Sequence, residues 1–119
     1  QALADATLGR WFTAPYHDSN PDEVALVRKM INSSNLTGYL GCARAIRDMS
    51  QCDVLGQIKA PTIVIVGEED PACPVSSATV LHEGVEDSEL VIIKDAAHLP
   101  NIQKRDEFNQ VLLGFLSAQ

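Results

Sequence analysis

PTIVIVGEEDPACPVSSATVLHEGVEDSELVIIKDAAHLPN, residues 61–101, decides the fold. Thr62 to Val66 is a short, β-branched, wholly apolar run of the kind buried on both faces of a parallel sheet, and Gly67 is expected to stop it. Leu90 to Ile93 repeats that character. Ala78 to Leu81 has room for a few helical turns between the two runs, with Gly84 as a stop. The spacing predicts strand, acidic loop, helix, strand and a loop carrying one histidine, which is one parallel βαβ unit. In open α/β sheets reactive groups collect just beyond the carboxyl ends of strands. Asp70 and His98 each stand a few residues past such an end. A carboxylate that accepts the Nδ1 proton of an imidazole forms two parts of an acyl-transfer triad. The third part would be a nucleophile on a sharp G-x-S-x-G turn, and no serine here has a glycine two residues away on both sides.

The flanks extend the pattern. Residues 1–10 predict a short helix with Leu3, Ala6 and the stem of Arg10 facing inward, and Pro15 ends what precedes it. Asn20-Pro21-Asp22-Glu23 is a helix start, with Asn20 as cap, proline in the first turn and Glu23 placed for a capping box. Val24, Val27 and Ile31 then form an apolar stripe. A second helix is expected over Leu36 to Met49, joined to the first as a hairpin by Asn32 to Asn35. Gly38 and Gly41 would weaken that helix unless close packing or an approaching ligand calls for them. Ser50 to Gln57 reads as one or two helical turns. The chain closes with a helix from Asp106 to Ser117 whose stripe is Phe108, Val111, Leu112, Phe115 and Leu116.

Two segments carry a resemblance. I-K-A-P-T-I-V-I-V-G-E-E-D-P at Ile58 to Pro71 and A-H-L-P-N at Ala97 to Asn101 resemble the C-terminal part of the α/β-hydrolase family. Upstream, A-L-A-D at Ala2 to Asp5, R-W-F-T at Arg10 to Thr13, G-Y at Gly38 and A-I-R-D at Ala45 to Asp48 are similar to the 3-oxoadipate enol-lactonases within it. The resemblance implies an α/β fold with residues 1–57 as a helical cap and residues 58–119 as the C-terminal part of the core. It also implies His98 as the general base and an acid on the loop after Gly67. Glu68, Glu69 and Asp70 all compete for that acid as ordinary loop charges. The family places it third after the glycine and ahead of a proline, which selects Asp70. Asp95 lies too near His98 in sequence to fold back easily.

The implied activity is hydrolysis of an enol-lactone in aromatic catabolism by the β-ketoadipate route, with no cofactor. An enol-lactone of this kind carries a free carboxylate, which an arginine can grip bidentately. Arg10 and Trp11 are therefore the candidate substrate-binding residues, with Arg28, Arg44 and Arg47 as further cap arginines. Two alternatives stay open. One keeps the fold but acts on another ester or a peroxyacid, as Ala97 suggests where a glycine often precedes the histidine. The other is a non-catalytic interaction domain.

Bulk properties exclude more than they assign. At 119 residues the chain has the length of one domain, about half of what a complete α/β-hydrolase needs at ordinary domain sizes. It is therefore expected to be a fragment whose partner segment supplies the serine and covers the sheet. A net charge of −7 without a basic cluster argues against nucleic acid. No run approaches the roughly 20 apolar residues that span a bilayer, and Gln1 to Thr7 lacks the basic start of a signal peptide. Cys42, Cys52 and Cys73 leave one thiol unpaired in any disulfide scheme, which fits a reducing cytoplasm. Neither they nor His17, His82 and His98 have metal-ligand spacing, so no metal is expected.

Overall fold

The computed structural model describes residues 2–118; Gln1, the first residue of the predicted opening helix, lies outside them. The elements run α1 (Ala2–Trp11), α2 (Ala14–Ser19), α3 (Pro21–Ser33), α4 (Leu36–Arg47), a 3₁₀ turn (Cys52–Gln57), β1 (Ile63–Gly67), α5 (Val75–Gly84), β2 (Glu89–Ile93), α6 (Pro100–Gln103) and α7 (Arg105–Ser117). The βαβ unit is present as read. β1 and β2 pair in parallel, with Ile63 opposite Glu89 and Gly67 opposite Ile93, and α5 packs on both strands. Gly67 closes β1 rather than following it.

Hydrogen bonding carries the pairing past the strand ends. The Glu68 amide donates to the Ile93 carbonyl at 2.9 Å, and the Glu69 amide donates to the Ala96 carbonyl at 2.9 Å. Ala96 and Ala97 are buried beside Gly67. The two exit loops are thereby laced together at the same rim of the sheet.

The helical part packs differently from its reading. The buried face of α1 is Ala4 and Leu8, continued by Phe12, spaced four residues apart. Leu3, Ala6 and Arg10 point to solvent instead. Leu8, Phe12, Val24 and Val27 form one apolar cluster, and Leu99 and Ile102 from beyond β2 pack against it. α3 therefore lies on α1 and α2, while every residue of α4 is exposed, so the expected hairpin is not the unit that packs. Pro15 opens α2 rather than only ending α1, as suits a residue with fixed φ in a first turn.

The predicted capping box does not form. The Asn20 side chain makes no cap bond to α3, and Glu23 instead accepts hydrogen bonds from the Tyr16 hydroxyl and from Arg105 Nη2, the latter at 2.8 Å. Burial, reinforced by Glu23, pushes the Tyr16 hydroxyl up to about 12, so it remains a donor. At α4 the cap is Asn35, whose side chain accepts from the Gly38 amide at 3.1 Å. A Cβ at Gly38 or Gly41 would meet nothing within 4 Å, so packing among the described residues does not account for those glycines.

Much apolar surface stays open. Leu36, Tyr39, Leu40, Ile46 and Met49 are exposed around α4, as are Ile92 in β2 and Leu113 and Leu116 in α7. Among the described residues the sheet has two strands, fewer than an independently stable parallel sheet needs.

Candidate active site

The rim where the exit loops meet carries the chemistry. β1 delivers Asp70 through a tight turn in which the Asp70 amide donates to the Gly67 carbonyl at 3.2 Å. Asp70 Oδ1 accepts from the amides of Ala72 at 2.8 Å and Cys73 at 3.0 Å. Oδ2 faces His98 Nδ1 at 2.7 Å. The carboxylate is 5% exposed and the imidazole 31%, so the acid is sheltered while the base keeps an open edge. Burial pushes the Asp70 carboxyl up, but hydrogen bonds from the Cys73 amide, the His98 ring and the Ala72 amide outweigh it and hold the pKa below the ordinary aspartate range.

The choice among the loop acids follows from this geometry. Asp70 meets the histidine, whereas Glu68 and Glu69 are exposed. Asp95 adopts a left-handed backbone (φ 50°) and its carboxylate lies 3.7 Å from Lys104 Nζ. An aspartate tolerates that conformation better than most residues. Here it lets the chain turn sharply between β2 and His98.

Trp11 lies over the site. Its ring stacks on that of His98 with centroids 6.0 Å apart, and its carbonyl accepts from the Leu99 amide at 3.2 Å. The structure thus brings one of the two predicted substrate-binding residues to the pair. Arg10 is exposed at the end of α1 and forms no ion pair among the described residues. Arg28 is tied to Asp5 and Arg47 to Asp48.

A cavity of about 190 Å³ adjoins the pair, lined in part by Gly67, Asp70, Cys73 and His98. Cys73, one of the cysteines without metal-ligand spacing in sequence, is exposed here, and its sulfur lies within 4.8 Å of ligand atoms of both Asp70 and His98. These three are the residues that could hold a metal among those described. Scanning for ligand spacing could not find them, because the loops join only in space. Both carboxylate oxygens of Asp70 are already engaged by the two amides and the imidazole.

Asn101 and Gln103 are not among the site residues selected from the sequence. Asn101 lies within α6 and is not a helix cap. Gln103 holds the histidine loop from α6. Of the other histidines, His17 Nε2 donates to the Leu8 carbonyl at 3.1 Å, and His82 is half-buried with Nδ1 2.9 Å from Ser88 Oγ.

Comparison with known proteins places this arrangement. No protein-family model matches the chain. It is 30% identical over 119 residues to 3-oxoadipate enol-lactonase 1 of Acinetobacter baylyi, covering 98% of this chain and 43% of that protein. It is 33% identical over 94 residues to a proline iminopeptidase of Thermoplasma volcanium, covering 79% of this chain and 32% of that one. The crystal structure of the enol-lactonase from Burkholderia xenovorans LB400 superposes with a TM-score of 0.94 at 33% identity, over 98% of this chain and 44% of that one. The chain spans less than half the length of these relatives. The parallel strand pair and a backbone shared this closely give the chain the fold of the C-terminal portion of an α/β-hydrolase.

Proposed function

We propose that this chain supplies the acid and the general base of a serine hydrolase that opens an enol-lactone to 3-oxoadipate in aromatic catabolism. The observation that carries the reading is the 2.7 Å contact between Asp70 Oδ2 and His98 Nδ1. With Nδ1 donating to the carboxylate, His98 Nε2 is the basic nitrogen available to a serine hydroxyl. That serine and the oxyanion donors come from a partner N-terminal segment, which also covers the open apolar surface. Residues 1–57 act as cap and residues 58–119 as the C-terminal part of the core.

In this mechanism His98 takes the serine proton as the oxygen attacks the lactone carbonyl. The ring C–O bond breaks, the enol oxygen receives the proton from His98, and the enol relaxes to the ketone. Water, deprotonated by His98, then cleaves the acyl-enzyme to a carboxylate and restores the serine. Asp70 orients the ring and stabilises the imidazolium throughout. Three free, exposed cysteines suit a reducing cytoplasm, and among the described residues no helix is long and apolar enough to cross a membrane.

Joined to a segment bearing the G-x-S-x-G turn, the chain is expected to hydrolyse the enol-lactone, whereas alone it should not. Turnover by the chain alone, or none by the joined protein, would overturn the reading. A panel of lactones, esters and peptides given to the joined protein separates this substrate from those of sibling hydrolases, among which the proline iminopeptidase relative makes peptides a fair comparison. A purely structural domain would have no use for a sheltered, ionised carboxylate aimed at a half-open imidazole.

Arg10 and Arg44 are the cap arginines without an ion pair among the described residues, and Arg10, next to the Trp11 that stacks on His98, is the one assigned to the substrate carboxylate. Replacing Arg10 with alanine is expected to raise KM for the lactone about tenfold with little change in kcat, the scale of one charged hydrogen bond. An unchanged KM in steady-state assays removes Arg10 from the site.

A further inference from the structure

We infer that Gln103 is a positioning residue whose side-chain amide locks the His98 loop to the first helices and so sets the imidazole against Asp70. The role rests on the proposed use of His98 as general base, but its physical basis stands apart from that use. Nε2 donates to Thr13 Oγ1 at 2.6 Å and to the Asp95 carbonyl at 2.9 Å. Oε1 accepts from the Ala97 amide at 3.2 Å and, at 3.5 Å, from the Thr13 amide.

The pattern admits one orientation of the amide. Turned over, its NH₂ would face two backbone N–H groups and its oxygen would face a carbonyl. Each partner matters to the loop. Asp95 occupies the left-handed turn after β2, and Ala97, 2% exposed, immediately precedes His98. Without Gln103 the buried Ala97 amide loses its acceptor, a costly state for a donor shut away from water. Thr13, 8% exposed, lies 90 residues away in sequence and directly follows the segment whose Trp11 stacks on His98. One side chain therefore fixes both the loop that carries the base and the wall that covers it.

The test uses Gln103→Met, which keeps length and volume but removes all four hydrogen bonds. In the chain itself, amide exchange at Ala97 should speed up at least tenfold and the His98 Nδ1 proton resonance should broaden or shift. In the protein joined to its serine-bearing segment, kcat should fall about tenfold with KM unmoved, the mark of a misaligned base. Thr13→Val removes only the tie to the helices and should give a smaller change in the same direction. It decides the matter if Gln103→Met does not fold. Unchanged exchange and an unchanged His98 signal overturn the inference, as does a disturbed signal with unchanged kcat. If the unsubstituted joined protein hydrolyses nothing, the hydrolase reading fails, while the exchange comparison still decides whether the clamp exists.

Discussion

Asp70→Asn is expected to lower kcat of the joined enzyme roughly ten-thousand-fold while leaving its fold intact, the scale seen when an orienting aspartate is exchanged for its amide. The surrounding backbone explains why the loss should be so large. The amides of Ala72 and Cys73 both donate to Oδ1, so an asparagine would keep its carbonyl oxygen there. Its NH₂ would then occupy the place of Oδ2, facing His98 Nδ1. The imidazole would have to accept at Nδ1 and carry its proton on Nε2, the nitrogen needed to take the serine proton. The variant would hold the correct geometry in the wrong tautomer.

Stability gives a second readout. A carboxyl held below its ordinary pKa contributes stability that is complete above the unfolded value and lost as pH falls through the lower folded one. The wild-type advantage in Tm over Asp70→Asn should therefore be constant near neutrality and shrink below about pH 4. A kcat within tenfold of wild type would mean that Asp70 does not orient the base.

The parts legible in the sequence were those with local causes. Two runs around a short helix specify the βαβ unit, because they are β-branched, too short for a helix and, at Gly67, closed by a glycine. The rule that strand ends converge brings His98 and the acidic loop to one rim, while the choice of Asp70 over Glu68 and Glu69 rests on the family resemblance. The parts missed were set by distant partners. Glu23 has the spacing of a capping box, yet Arg105 and the Tyr16 hydroxyl compete for its carboxylate and win. The α1 stripe was misread because its inward face is defined by what it meets, namely Val24 and Val27 of α3. No local signal marks the tie from Gln103 to Thr13 or the stacking of Trp11 on His98, each of which joins residues some 90 apart.

Gly67→Ala should be the most damaging single methyl group in the chain. Gly67 needs no unusual backbone angle, so its reason is space. A Cβ there would run into the carbonyl oxygens of Ala97 and Ala96 and stand 2.8 Å from the Ala96 carbonyl carbon. These are backbone atoms and cannot rotate away, so the loop as a whole must retreat. Ala96 also accepts the Glu69 amide that ties the two exits together, and His98 is the residue after Ala97. Retreat therefore stretches the lacing and draws the imidazole off Asp70. Overpacking of this kind costs about 1–3 kcal/mol or more, and a misplacement near 1 Å costs roughly a hundredfold in rate. Gly84→Ala is the matched control. Its Cβ would stand 2.6 Å from Leu55 Cδ1 and 2.9 Å from Leu55 Cβ, so the 3₁₀ turn must give way, but the atoms it meets first all belong to Leu55 and none to the loops that carry Asp70 and His98. Thermal melts and kcat should show Gly67→Ala losing both stability and turnover, with Gly84→Ala losing stability alone. If Gly67→Ala melts like wild type and turns over at the same rate, the close seating of the Ala97 loop on the end of β1 is not what holds base and acid together.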